Sequence, residues 1–194
     1  MIVVDGKRIG RIKIETRNTL EIKKNMRWTP ELFSTLFEEM TRQNALRSAM
    51  RMLTLSARSR SDLERTLCWR GHDRDAAIWA VGKMDSIGAL DDEMFARGLV
   101  RRELLRKPAG RRLLEAKLRA KGVSSEIVDL VIGDALGERD VYADALKVAM
   151  SGARSMPSSL EHVKKVRRLS GRLARRGFDH DVVRRAVDEA LKEE

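Results

Sequence analysis

LEAKLRAKGVSSEIVDLVI, residues Leu114 to Ile132, is the middle one of three copies of a single pattern. Leu114 and Leu118 precede Gly122, and Ser124, Glu126, Ile127, Val128, Val131 and Ile132 follow it. Earlier in the chain Leu63 and Leu67 precede Gly71, with Asp73, Asp75, Ala76, Ala77, Ala80 and Val81 after it. Later, Leu169 and Leu173 precede Gly177, and Asp179, Asp181, Val182, Val183, Ala186 and Val187 follow. Every offset from the glycine is the same. Leucines four residues apart share one face of a helix. A glycine four residues after the second leucine can take the left-handed conformation that ends a helix. The Asp or Ser two residues on predicts an N-cap for a second helix. The acid two further on stands where the helix dipole favours negative charge. Apolar pairs four residues apart are the buried stripe of that second helix. The unit is helix, glycine turn, helix, and its recurrence with glycine, cap and acid in register marks an internal repeat.

A chain of 194 residues can form one sizeable domain or a short array of small ones. Its apolar content of 42% suffices for a core. Charged residues make up 36%, above the usual ~25%. The net charge is +11 and the isoelectric point about 10.3, a balance that favours a polyanionic or acidic partner. The single cysteine, Cys68, excludes an internal disulfide and reads as a small apolar packing group. Asp5 cuts short the apolar run from Met1 to Val4, so no secretory signal is expected. No run approaches the ~18 apolar residues of a membrane span. A cytoplasmic protein with no membrane partner is expected.

Residues 1–28 differ from the rest. Ile2-Val3-Val4 meets Asp5-Gly6, a hairpin signal, and Ile12, Ile14, Leu20 and Ile22 alternate with polar neighbours. This predicts two or three short strands leaning on the helices behind them. Thr29-Pro30-Glu31 starts a helix over 29–40. Phe33, Phe37 and Met40 lie along it at helical spacing, and a break is expected near Thr41. Beyond it the pattern predicts three sets of three helices, at 41–86, 91–136 and 138–191. The expected fold is therefore all-α, three tandem three-helix repeats in an elongated curved array with a short N-terminal β-rich segment. Ser61 is the expected cap of the first repeat's glycine-turned pair. Gly88 closes one helix and Asp91 or Asp92 caps the next. Pro108-Ala109-Gly110 breaks a long helix, and Ser151 to Ser159 is a connector. Trp69, Trp79, Met50 and Met52 read as packing residues rather than as stacking platforms or a cofactor box.

The basic residues cluster. Arg97, Arg101, Arg102, Arg106, Lys107, Arg111, Arg112, Lys117, Arg119 and Lys121 gather around the second repeat, against Glu103 and Glu115. Lys164, Lys165, Arg167, Arg168, Arg172, Arg175 and Arg176 fall on the last long helix, where Glu161 is the one acid. These charges take the sides away from the leucines. Such surfaces suit DNA phosphates, an acidic protein groove, or both. A helix-turn-helix acting on DNA directly is the alternative, but its second helix needs polar base-reading residues, and only Arg184 and Arg185 fit. An enzyme is disfavoured. His72, His162 and His180 form no pair with metal-ligand spacing, no phosphate-binding glycine loop occurs, and neither metal nor cofactor is expected.

Gly88-Ala89-Leu90-Asp91-Asp92-Glu93-Met94-Phe95-Ala96, with Lys107-Pro108-Ala109-Gly110-Arg111-Arg112-Leu113 and Leu118-Arg119-Ala120-Lys121-Gly122-Val123 after it, resembles the RecX family, regulators of the RecA recombinase. Ser59-Arg60-Ser61-Asp62-Leu63 and Leu173-Ala174-Arg175-Arg176-Gly177-Phe178 extend the resemblance over about residues 42–191. The chain departs from the family pattern at His72 and Val123, where Phe or Ile is usual, and in a short connector lacking a long basic linker. The resemblance implies three three-helix repeats in an elongated arc that lies in the helical groove of the RecA–DNA filament; a monomer is expected, with single- or double-stranded DNA as a further candidate partner. It implies mainly inhibition of recombinase, ATPase and coprotease activity, with no catalytic residues. The basic clusters then supply the expected filament-binding residues: Arg101, Arg102, Arg106, Arg111, Arg112, Lys117, Arg119, Arg168, Arg172, Arg175 and Arg176.

Overall fold

The three glycines that space the repeat do turn the backbone. In a computed structural model, which describes residues 2–4, 7–10 and 12–192, Gly71, Gly122 and Gly177 have φ of +86°, +68° and +80°. The residue after each glycine donates its amide to the carbonyl of the second leucine. His72 N reaches Leu67 O at 3.1 Å, Val123 N reaches Leu118 O at 3.2 Å, and Phe178 N reaches Leu173 O at 3.3 Å. The glycine amides bond one residue further on, to Cys68, Arg119 and Ala174. This is the left-handed helix end that leaves few carbonyls orphaned. All six repeat leucines are fully buried.

The chain divides into two compact units, one ending at Asp91 and one beginning at Asp92. The first unit opens with β1 (Ile2–Val4) and β2 (Lys7–Gly10), paired antiparallel with Val3 opposite Arg8 and Val4 opposite Lys7. Asp5-Gly6, the expected hairpin turn, lies outside the described residues. The expected further strands are absent from the described residues. Ile14–Thr19 is a short helix, α1, and no strand covers Leu20 and Ile22. Alternation over so few residues does not specify a strand without a ladder partner. Thr16 instead ties the segment to the next helix, donating to Glu39 Oε1 at 3.3 Å and accepting from Gln43 Nε2 at 3.2 Å. Ile2 packs with Leu36 and Met40, and Ile12, Leu20, Ile22, Trp28 and Leu32 lie against them.

Helix α2 (Pro30–Leu55) is uninterrupted, so the break expected near Thr41 is a correction. The Thr41 hydroxyl donates back to Glu38 O at 2.7 Å, a local bond that the helix tolerates. Its start is as expected, with Thr29 accepting from Leu32 N and Pro30 at the first position. The buried stripe runs through Leu36, Met40, Ala45, Ala49 and Met52, whereas Phe33, Phe37 and Met50 are exposed. Phe33 and Phe37 stack on one another, 5.9 Å between centroids. Helices α3 (Arg60–Trp69) and α4 (Arg74–Ser86) complete a core around Leu63, Leu67, Ala77 and Ala80. The cap of α3 is Ser59, not Ser61. Its buried hydroxyl accepts from Asp62 N at 3.1 Å.

Among the described residues the second unit holds six helices: α5 (Asp92–Arg106), α6 (Arg111–Ala120), α7 (Ser125–Gly137), α8 (Val141–Ala153), α9 (His162–Arg175) and α10 (His180–Lys192). The first three enclose Phe95, Val100, Leu114, Leu118, Val128 and Ile132. The last three enclose Ala145, Ala149, Leu169, Leu173, Phe178 and Val187. Ser151 to Ala153 belong to α8, so the connector is shorter than expected and begins at Arg154. Among the described residues the chain is all-α apart from one two-stranded sheet.

Candidate functional site

Helices α6 and α9 are equivalent members of the repeat, and burial of their leucine faces turns their arginine faces outward. Leu114 and Leu118 on α6 and Leu169 and Leu173 on α9 are sealed, while Arg112, Arg119, Arg168 and Arg175 are exposed. The two helices nevertheless differ in what surrounds those charges.

On the α5–α6 side, folding brings acids to most of the expected binding residues. Arg111 Nη1 lies 3.1 Å from Glu115 Oε1 and 3.3 Å from Asp129 Oδ1 of α7. Arg112 Nε donates to Asp179 Oδ1 at 2.9 Å. Lys117 Nζ meets Glu103 Oε1 at 2.8 Å, and the same carboxylate is 3.9 Å from Arg106. Arg119 stands 3.8 Å from Glu115 Oε2. Arg97 joins Glu93 and Asp134, each at 2.9 Å, which raises its guanidinium further above its usual range. The Lys117 hydrogen bond holds the Glu103 carboxyl below the ordinary carboxylate range, against the opposing effect of burial; the nearby charges of Lys117, Arg106 and Arg176 act in the same direction as that bond. Arg101 and Arg102 are exposed and form no ion pair among the described residues. The sequence near α6 is poor in acids, but its spatial surroundings are not.

On α9 the arginines differ from those of α6. Among the described residues Arg168, Arg172 and Arg175 have no ion pair, and Glu161 is engaged by Lys164 at 3.0 Å. No carboxylate of α8 or α10 is seen to pair with them. Asp144 takes Arg139, Glu189 takes the Tyr142 hydroxyl, and Asp179 takes Arg112. Three unpaired guanidinium groups at positions 168, 172 and 175 follow one side of the helix at spacings of four and three residues.

Arg176 does something else. It is the C-cap of α9, and its side chain turns onto the loop between α5 and α6. Nη2 donates to Lys107 O at 2.6 Å and Nε to Pro108 O at 2.8 Å. The backbones also meet there. Gly110 N donates to Arg176 O at 2.9 Å and Arg112 N to Gly177 O at 3.2 Å. Gly110 is the N-cap of α6 and has no side chain to cap with. Ser59 stands at the equivalent position of the first repeat, twelve residues before its glycine, and caps with its hydroxyl. In the second repeat the Gly177 carbonyl replaces that hydroxyl, satisfying an orphan amide of the first turn. The signal was legible as a glycine where the first copy has serine, but its partner was not.

The residue after the repeat glycine also varies in use. Val123 and Phe178 are buried in their cores. His72 is half-buried, with Nε2 2.8 Å from Ser48 Oγ. Asp73 caps α4, accepting from Asp75 and Ala76 amides, whereas Ser124 holds the N-cap position of α7 without a side-chain cap bond. Trp79 packs against the first core as expected, with Arg42 and Lys83 over its ring. Trp69 does not pack. It is 83% exposed at the end of α3, a correction to its reading as a packing residue. Arg185, one of two candidate base-reading residues, lies over the Tyr142 ring at 4.4 Å. Among the described residues no His, Cys, Asp and Glu group could hold a metal ion, and no helix is long and apolar enough to cross a membrane.

The chain is similar to known proteins along most of its length. A family profile described as RecX, second three-helix domain, matches residues 91–132. The regulatory protein RecX of Mycolicibacterium smegmatis is 32% identical over 154 residues, 78% of this chain and 82% of that one. That of Chlorobaculum tepidum is 32% identical over 157 residues, 81% of this chain and 94% of that one. A crystal structure of regulatory protein RecX shares the fold, with a TM-score of 0.73 at 18% identity, over 98% of this chain and 90% of that one.

Proposed function

The chain belongs to the RecX family of regulatory proteins, and from that premise we propose that it binds the RecA–DNA filament and modulates it, mainly by inhibition, with no reaction of its own. The observation that carries this reading is the row of unpaired arginines on α9, Arg168, Arg172 and Arg175. Unpaired guanidinium groups keep their long-range field, which speeds encounter with a polyanion and adds contacts to phosphates or carboxylates. Arg101 and Arg102 extend the same chemistry on α5. Arg106, Arg111, Arg112, Lys117 and Arg119 contribute less, because each already faces a carboxylate. Arg176 is reassigned from contact to support, since carbonyls of the neighbouring loop occupy its guanidinium.

The fold supports a binding role. The helices before the glycine turns bury their leucines and direct charged side chains outward, where a partner can meet them. Direct reading of DNA sequence by a helix-turn-helix is the weaker alternative, because Arg185 is held by Tyr142 and leaves Arg184 alone on that helix. The test is ATP hydrolysis by RecA on single-stranded DNA, with this protein added below stoichiometry. A fall in hydrolysis is expected. Unchanged hydrolysis, together with sequence-dependent binding to naked duplex, would replace this reading with the alternative.

A further inference from the structure

The backbone joint between Gly110 and Gly177 is the closest approach between the α5–α7 and α8–α10 groups that the glycines report. A Cβ built on Gly110 would stand 2.5 Å from the carbonyl carbon of Gly177 and 2.6 Å from Phe178 Cα. A Cβ on Gly177 would stand 2.6 Å from Leu113 Cβ and 2.9 Å from its Cα. These obstacles are backbone and near-backbone atoms, which cannot rotate away. Gly110 itself has φ −87° and ψ 170°, a conformation open to any residue. Its glycine is therefore explained by the close approach and not by its own torsions. Around this contact run two backbone hydrogen bonds, the Arg176 fork onto Lys107 O and Pro108 O, and the Arg112–Asp179 ion pair. The carbonyls of Arg176 and Gly177, just past the end of α9, thus accept from the amides of Gly110 and Arg112 at the start of α6. Each helix end would otherwise leave those groups to water.

We propose that Gly110 and Arg176 are positioning residues for partner binding: they seat the third repeat's glycine turn on the start of α6 and so hold the arginine face of α9 at a set angle to α5 and α6. This rests on the function proposed above. Two faces held in a fixed pose meet a regular partner together, whereas two loosely joined faces lose that advantage to orientational freedom. The residues act at the joint and touch no partner. Gly110 carries no charge, and Arg176 spends its donors on carbonyls.

The experiment separates pose from contact. Spin labels at Leu130→Cys on α7 and Ser151→Cys on α8, in a Cys68→Ser chain, report the distance across the joint in the free protein by double electron–electron resonance. The parent is expected to give one narrow distribution. Gly110→Ala and Arg176→Ala are each expected to broaden it while helicity stays unchanged. Each should weaken binding to RecA filaments on the order of tenfold, and Arg176→Lys should recover part of the loss. Should Gly110→Ala fail to fold, Arg176→Ala decides alone, because it deletes surface hydrogen bonds without inserting an atom. Narrow distributions in the variants would overturn the proposal, and so would broad ones with undiminished binding. Weaker binding of Arg176→Ala with a narrow distribution would return Arg176 to the contact residues. If the parent itself fails to bind the filament, the functional reading falls. The distances still report the joint, so the two failures are distinguishable.

Discussion

Helices α6 and α9 occupy the same place in the repeat, bury leucines four apart to the same degree, and carry comparable arginine content, yet one is electrostatically quiet and the other is not. The difference lies in the neighbours. Asp129 from α7 and Asp179 from the third repeat's turn reach Arg111 and Arg112, and Glu103 from α5 reaches Lys117. The arginines of α9 receive no such visitors among the described residues. Charge counted along a helix is therefore a poor guide to the field it projects. Exposed pairs of this kind add little stability, about 0–1 kcal/mol each, but they cancel the local field.

If the buried halves of the two helices are truly equivalent, Leu118→Ala and Leu173→Ala should each cost about 2–5 kcal/mol through a core cavity. Chemical denaturation with both variants checks this. A loss in one and none in the other would break the equivalence on which the comparison stands. The next largest effect is expected on binding. Reversing Arg168, Arg172 and Arg175 to Glu should weaken filament association about a hundredfold, with helicity and melting temperature near the parent's. For each phosphate that these arginines neutralise in the parent, the slope of log K against log salt should fall by roughly 0.7–0.9 in the variant. A weakening without that increment would point to protein carboxylates as the partners. Arg111→Gln with Arg112→Gln should cost less than about tenfold in binding, because those charges are already met. A loss as large as that of α9 would erase the distinction between the helices.

Smaller effects sharpen the quiet side. Glu103 has a carboxyl held below its ordinary range, so its stabilising contribution is fully present above the unfolded carboxylate pKa. It is lost as pH falls through the lower, folded value. The melting temperature of Glu103→Gln should accordingly lie below the parent's at neutral pH, and the gap should close in acid. A gap independent of pH would assign the loss to packing. Smallest of all, Trp69→Ala should leave the melting temperature unchanged, since the ring is in solvent. A drop in filament binding in that variant would move Trp69 into the contact surface and shift attention to the first repeat.

Much of the fold was legible before any coordinate. Leucine spacing, the positive-φ glycines and the Thr29-Pro30 start are local devices, and each was found where the spacing put it. The N-terminal segment was less legible. Alternation at Ile12 and Ile14 suggested a strand, but a strand exists only with a ladder partner, and Thr16 found side chains of α2 instead. The break expected at Thr41 failed for a related reason, since a hydroxyl that could disrupt a helix can also bond back into it.

By itself the sequence determined the helical repeat, its leucine core and its basic character, because each depends on residues within one or two turns of one another. Tertiary structure alone decided which charges remain free. Coulomb interactions act through space: beside Glu115, one turn along its own helix, Arg111 meets an acid 18 residues away, and the acid that meets Arg112 lies 67 residues away along the chain. It also decided the role of Arg176. The carbonyls that hold it lie 68 and 69 residues away, and only the close approach of two glycine backbones brings them within its reach.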